Sequence, residues 1–252
     1  MMRTRANGRC MLGEPAHSVT SVIFGMDAVV DCAVVSAAAW KSVLDPFLRS
    51  YAAVHETAFT PFEVRADYLR YLRGRPRLEG ARDFLASRDI ILPYDDLRGL
   101  AMSQDEFFLG EVRRYGLRPF ASTLAVIRRL HRDGVRTAAV SLHAEGAEIL
   151  RRAGVADLFD VVMDGLDAPG TTLPEHPNAQ LYLQVARRLG EPPGQVAVIE
   201  ASAEGVAAAR EGGFGAVVGV DRTGAGSALR EHGASPVVTD LAELRFRSAR
   251  AA

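Results

Sequence analysis

The chain of 252 residues carries 30 Lys and Arg against 31 Asp and Glu, a formal net charge of -1, and is 48% hydrophobic. A balance this close to neutral argues against a basic surface built for nucleic acid or an anionic membrane, and no apolar run approaches the roughly 20 residues of a membrane span. Two cysteines, Cys10 and Cys32, are too few for a disulfide framework. Arg3, Arg5 and Arg9 are not followed by the apolar segment of a secretory signal, so the expected compartment is the cytoplasm. The length suits one sizeable core, or a core with a small second domain.

Residues 1–18 mix Arg, Gly, Pro and Ser without periodicity and read as a flexible extension. Val19 to Phe24 is an apolar run expected to be a strand buried on both faces. It leads into a tight loop, Gly25-Met26-Asp27-Ala28, with an acidic side chain just past the strand end. Ligands of open α/β sheets bind on that side.

Residues 34–117 read as an all-helical insert. Trp40 is its largest anchor, and Phe62, Tyr68, Tyr71, Leu72, Phe84, Leu85 and Phe108 recur at helical spacing. Pro46, Pro61, Pro76 and Pro93 punctuate it.

After Pro119 helices and strands alternate. Helices are expected over Ser122–Arg132, Ala144–Ala153, Ala179–Leu189 and Glu204–Glu211, two of them ended by Gly154 and Gly190. Strands are expected over Val135–Ser141, Phe159–Met163, Gln195–Glu200 and Phe214–Val220, with a short one at Pro236–Val238. The pattern predicts an α/β fold: a Rossmann-like parallel sheet with right-handed crossovers and helices on both faces. The core takes 19–33 and 118–244, the helical cap takes 34–117, and 245–252 is a tail.

An α/β core interrupted after its first strand by a helical cap resembles the haloacid dehalogenase superfamily, and more closely its β-phosphoglucomutase branch. The resemblance runs from about Val19 to Leu244. It extends to Tyr68–Ser87, to Gly219-Val-Asp-Arg-Thr-Gly224 and to Val238-Thr-Asp-Leu-Ala-Glu-Leu244. It implies phosphoryl transfer through an aspartyl phosphate. That chemistry takes a nucleophilic aspartate and a second aspartate two residues on as acid and base. A serine or threonine and a lysine hold the phosphate, and a further carboxylate joins the first in binding magnesium. The cations are needed because a dianionic phosphate is otherwise repelled by its nucleophile.

On that resemblance, Gly25 stands at the nucleophile position and Asp27 at the acid/base position. Ser141 matches the phosphate-binding hydroxyl, and His176 takes the place of the lysine. Glu200 matches, but Ala201 replaces the magnesium-binding aspartate, so magnesium is expected to be absent or weakly held. Ser36 and Gln104 also depart from the branch, which usually has a histidine and a lysine there. Losing the nucleophile of a comparable covalent mechanism costs about a million-fold in turnover.

Each of these residues also has a plain reading. Asp27 can cap its own loop, Ser141 can cap the next helix, and His176 can be a neutral loop residue, as can His143. Glu200 reads best as a carboxylate bonding loop amides. Arg75 and Arg77, with Arg73, either grip an anion or form a solvated face. The histidines show no zinc-ligand spacing. Gly212–Gly219 precedes a strand instead of following one, so it fails as a dinucleotide loop.

The leading expectation is a pseudoenzyme that binds a phosphorylated or other anionic small molecule, or a protein partner, with no cofactor. One alternative is an isomerase or lyase using Asp27 in proton transfer. The other is residual phosphatase or phosphoglucomutase activity.

Overall fold

The structure is a computed structural model that describes residues 10–12, 17–73, 75, 77–141, 145–164, 179–244 and 247–248. The chain starts with β1 (Cys10–Leu12), β2 (His17–Val19), β3 (Ser21–Gly25), α1 (Met26–Val29) and β4 (Val30–Asp31). Three longer helices follow: α2 (Ala33–Val54), α3 (Arg77–Ala86) and α4 (Tyr94–Tyr115). Next come β5 (Arg118–Pro119), α5 (Ala121–Arg132), β6 (Arg136–Val140), α6 (Gly146–Arg152), β7 (Val161–Met163) and α7 (Ala179–Leu189). The last elements are β8 (Val196–Glu200), α8 (Ala203–Glu211), β9 (Ala216–Val220), α9 (Gly226–Glu231), β10 (Val237–Val238) and β11 (Arg247–Ser248). Two compact units result. One holds the chain up to Asp31 and from Arg118 onward; the other is Cys32–Leu117.

The first unit is built on a six-stranded sheet of order β10-β9-β8-β3-β6-β7, parallel throughout. It is the Rossmann-like α/β arrangement that the alternation predicts, with strands within a residue or two of their expected bounds. All of β3 is buried, as its apolar run requires. The chain works outward from β3 through β6 and β7, then crosses back to β8 on the other side of β3. The gap between β3 and β8 is therefore a topological switch point, and ligand sites open at the strand ends beside such a point. Gly25 pairs with Val140 and Phe24 with Ile199, so β3, β6 and β8 end side by side.

One face of the sheet is covered by α7, whose Tyr182, Val185, Ala186 and Leu189 fall at helical spacing and are buried against Ile23, Val140 and Val198. Among the described residues no helix is long and apolar enough to cross a membrane.

The helical unit has its own core, with Trp40, Leu44, Leu48, Phe62, Phe84 and Leu97. Pro46 lies inside α2 and does not end it. Buried anchors on both sides of the proline, Trp40 and Leu44 before it and Leu48 after it, hold the helix continuous across the missing N–H. The segment after α2 is tied back by polar groups. Asp45 Oδ1 accepts the Phe62 N–H at 2.8 Å, and Lys41 Nζ donates to the Phe62 carbonyl at 2.8 Å. Arg88 donates to the Pro61 carbonyl and to Asp67, and its guanidinium stacks on Phe84.

The termini differ from expectation. Where an irregular extension was predicted over 1–18 and a tail over 245–252, β1 pairs antiparallel with both β2 and β11. Cys10 lies opposite Ser248 and Val19. Strands of two or three residues are too short to show periodicity, and the partner lies at the far end of the chain.

Asp45→Ala leaves the Phe62 N–H without its acceptor and Lys41 without its carboxylate. We expect a loss of about 1–2 kcal/mol in urea unfolding. Asp83→Ala, which breaks the exposed pair with Arg75, should cost under about 0.5 kcal/mol.

Candidate functional site

Strand β3 ends at Gly25, whose extended backbone (φ -63°, ψ 142°) caps the short α1. Met26, Ala28 and Val29 are buried, while Asp27 stands exposed in the first turn. Gly25, not Asp27, holds the N-cap position of this helix. The turn is anchored from outside. The Thr123 hydroxyl donates to the Ala28 carbonyl at 2.8 Å, and the Phe120 N–H donates to that of Val29 at 2.9 Å.

Glu200 ends β8 and is 5% exposed. Its Oε1 accepts the Tyr182 hydroxyl at 2.6 Å. Its Oε2 accepts the Ala201 N–H at 3.1 Å and, more weakly, the Ser202 hydroxyl at 3.4 Å. The bond to Ala201 matches the plain reading of Glu200; the bond to Tyr182 was not foreseen. A tyrosine on the buried face of α7 carries a hydroxyl that needs a partner, which is the signal sequence reasoning passed over.

The carboxylate lies against two glycines. A Cβ at position 25 would overlap Oε1 outright and stand 2.6 Å from Oε2. A Cβ at position 205 would stand 2.6 Å from Cδ. The Glu200 carboxylate thus fills the space into which a side chain at position 25 would begin. Burial raises its pKa from the ordinary 4.5 to about 7; the Tyr182 hydrogen bond opposes that shift and the nearby charge of Asp27 adds to it. Burial, with the Glu200 charge next, also pushes the Tyr182 hydroxyl well above its usual range.

Ser141 follows β6 and is 4% exposed. Its N–H donates to the Met163 carbonyl at 3.0 Å. Gly146, at the start of α6, lets that helix approach: a Cβ there would overlap that of Ser141. Asp164, just after β7, is buried as well and accepts the Ala147 N–H at 3.2 Å. It was not singled out from the sequence, although it too is an acid just past a strand end. The ends of β3, β6, β7 and β8 therefore carry Asp27, Ser141, Asp164 and Glu200.

His176 and His143 lie outside the described residues. Arg75 and Arg77 belong to the helical unit and pair there with acids of that unit: Arg75 with Asp83 at 2.9 Å, and Arg77 with Asp105. Gln104 is buried in the same unit.

Among the described residues, the positions that the resemblance assigns to magnesium are poorly suited to it. Gly25 and Ala201 offer no side-chain oxygen. Each oxygen of Glu200 already accepts a hydrogen bond.

Comparison with known proteins agrees with this architecture. Residues 33–213 match the family of haloacid dehalogenase-like hydrolases. The chain is 33% identical to a β-phosphoglucomutase of Mycobacterium bovis over 247 residues, 93% of this chain and 94% of that protein. It is 36% identical over 241 residues to an "uncharacterized glycosyl hydrolase" of Mycobacterium tuberculosis. That match takes 92% of this chain, which spans only 18% of the longer protein's length. A solved structure of a haloacid dehalogenase family hydrolase from Deinococcus radiodurans, with bound phosphate and sodium, superposes with a TM-score of 0.64 at 26% identity. It covers 89% of this chain and 93% of that one. The chain belongs to the haloacid dehalogenase-like hydrolases, on their β-phosphoglucomutase branch.

Proposed function

We propose that this chain is a pseudoenzyme of its branch: it binds a small phosphorylated or similarly anionic ligand at the strand ends and does not pass a phosphoryl group through position 25. The observation that carries this reading is the seat of Glu200. Position 25 has no side chain to attack phosphorus, and the space a nucleophile would need is filled by a buried carboxylate held by Tyr182. An attacking group must reach the phosphorus in line and within about 3–3.5 Å. Glu200, with each oxygen already accepting a hydrogen bond, is not free to move there.

Charge supports the same reading. The catalytic chemistry needs a cation because ionised carboxylates crowd the phosphate. Here Gly25 and Ala201 carry no charge, and a proton on Glu200 near pH 7 neutralises a third carboxylate. The strand ends then repel an anion less, with no metal present. Ser141, at the end of β6, is the hydroxyl best placed to contact it. The activities of the relatives point to sugar phosphates as the class to test first.

A second reading rests on a different observation. Asp27 is exposed while nearby Glu200 holds its proton to about pH 7, so two neighbouring carboxylates have different tasks open to them. Such a pair suits proton transfer in an isomerase or lyase reaction.

Four measurements bear on this. Hydrolysis of an aryl phosphate with magnesium should not exceed that of Asp27→Asn, and turnover lost in that variant would refute the pseudoenzyme. Calorimetry with sugar phosphates should give the same affinity with and without magnesium; a strict need for the metal counts against it.

Gly25→Ala should cost about 1–3 kcal/mol of stability, since its methyl overlaps Glu200. That cost should largely vanish in a Glu200→Ala background. An unchanged cost there would mean that the overlap is not what makes position 25 a glycine.

The fourth is pH. Glu200 keeps a proton in the fold that the unfolded chain releases above about 4.5. Its contribution is therefore full below that pH and falls away as pH rises to about 7. Between pH 4.5 and 7.5 the native chain should lose up to about 3 kcal/mol relative to Glu200→Gln. Parallel profiles would show that folding does not raise the Glu200 pKa.

A further inference from the structure

The motif Gly219-Val-Asp-Arg-Thr-Gly224 has no part in the site so far, yet the structure ties it to the turn that carries Asp27. It follows β9. Asp221 fixes the backbone there: its Oδ1 accepts the N–H groups of Thr223, Gly224 and Ala225, and its Oδ2 accepts that of Gly226. With the turn pinned, the half-buried Arg222 side chain is free to reach across the strand ends.

Its guanidinium lies over the ring of Phe120, 3.8 Å from the centroid. It donates through Nη2 to Thr123 Oγ1 at 3.2 Å and through Nη1 to the Thr239 carbonyl at 3.4 Å. Burial lowers its pKa, and the carboxylates of Asp240 and Asp31 oppose that shift.

Each group that Arg222 touches on α5 leads on to α1. Thr123 accepts from Arg222 and passes its own hydroxyl proton to the Ala28 carbonyl at 2.8 Å. A hydroxyl can do both, with one donor and two acceptor sites. Phe120 lies under the guanidinium and donates its N–H to the Val29 carbonyl at 2.9 Å. In a helix of only four residues the Val30 N–H meets the Met26 carbonyl, and the later carbonyls look outside the helix for donors. These two bonds supply partners for the residues directly after Asp27.

We propose that Arg222 is a positioning residue, which through Thr123 and Phe120 holds the carbonyls of Ala28 and Val29 and so sets where Asp27 stands. The role does not depend on whether the site binds or catalyses. The same side chain also steadies the β4–β5 ribbon, because Asp31 and Phe120 flank it. At that ribbon the chain leaves the core unit and returns to it.

Amide hydrogen exchange followed by NMR tests this. In Arg222→Ala the Phe120 N–H and the Val30 N–H, which closes α1, should exchange about tenfold faster, while the amides of β8 stay within about twofold. Free guanidinium should restore slow exchange in that variant. Thr123→Val, which removes one oxygen and keeps the shape, should speed the Val30 N–H alike, and adding Arg222→Ala should not speed it further. If exchange rises equally in α1 and β8, Arg222 is a general stabiliser and the proposal fails. It fails too if Phe120 and Val30 keep their native rates. Should Arg222→Ala not fold, Thr123→Val alone decides, because faster exchange confined to α1 is expected and native rates overturn the relay.

Discussion

A carboxylate taken out of water must have its oxygens met by donors or keep its proton; donors meet both oxygens of Glu200, and burial raises its pKa to about 7. Tyr182 on α7, the Ala201 amide and the Ser202 hydroxyl approach it, and two glycines leave the room it occupies. The close fit of β3, β8, α7 and α8 at their shared corner depends on this one group. Gly25 is part of the same arrangement. It is a position where a Cβ and the Glu200 carboxylate would overlap in this packing, so the glycine and the buried pair are two aspects of one structural solution.

On the proposed reading, the same arrangement lets the strand ends accept an anion without a metal. An ionised cluster at the strand ends would need a cation to accept an anionic ligand. Burial raises the Glu200 pKa to about 7, and the acids directly past β7 and β9, Asp164 and Asp221, accept backbone amides. Asp27 is the exposed acid of the turn after β3, and the bonds that reach α1 from Thr123 and Phe120 bear on its placement.

How much of this was legible beforehand varies by element. The strands were legible because Val, Ile and Ala runs of five residues between glycines and polar turns have few other solutions in an alternating chain. The helical insert was legible from its aromatic spacing, although Pro46 read as a break. Tertiary burial of Trp40, Leu44 and Leu48 outweighs the lost hydrogen bond there. The two short strands before β3 were not legible, since three residues carry no period and their partner β11 lies more than two hundred residues away.

The site divides along the same line. The resemblance picked out Asp27, Ser141 and Glu200 together with Gly25 and Ala201, and order along the chain put each of them at or just past a strand end. Spacing also marked Ala179–Leu189 as a helix. It could not show that the Tyr182 hydroxyl meets Glu200, or that Arg222 reaches Thr123 ninety-nine residues earlier in the chain. Periodicity records which face of an element leaves water, because the hydrophobic effect is non-directional and sums along the element. Hydrogen bonds are short and directional, so their partners are settled only when the packed elements bring particular atoms within about 3 Å.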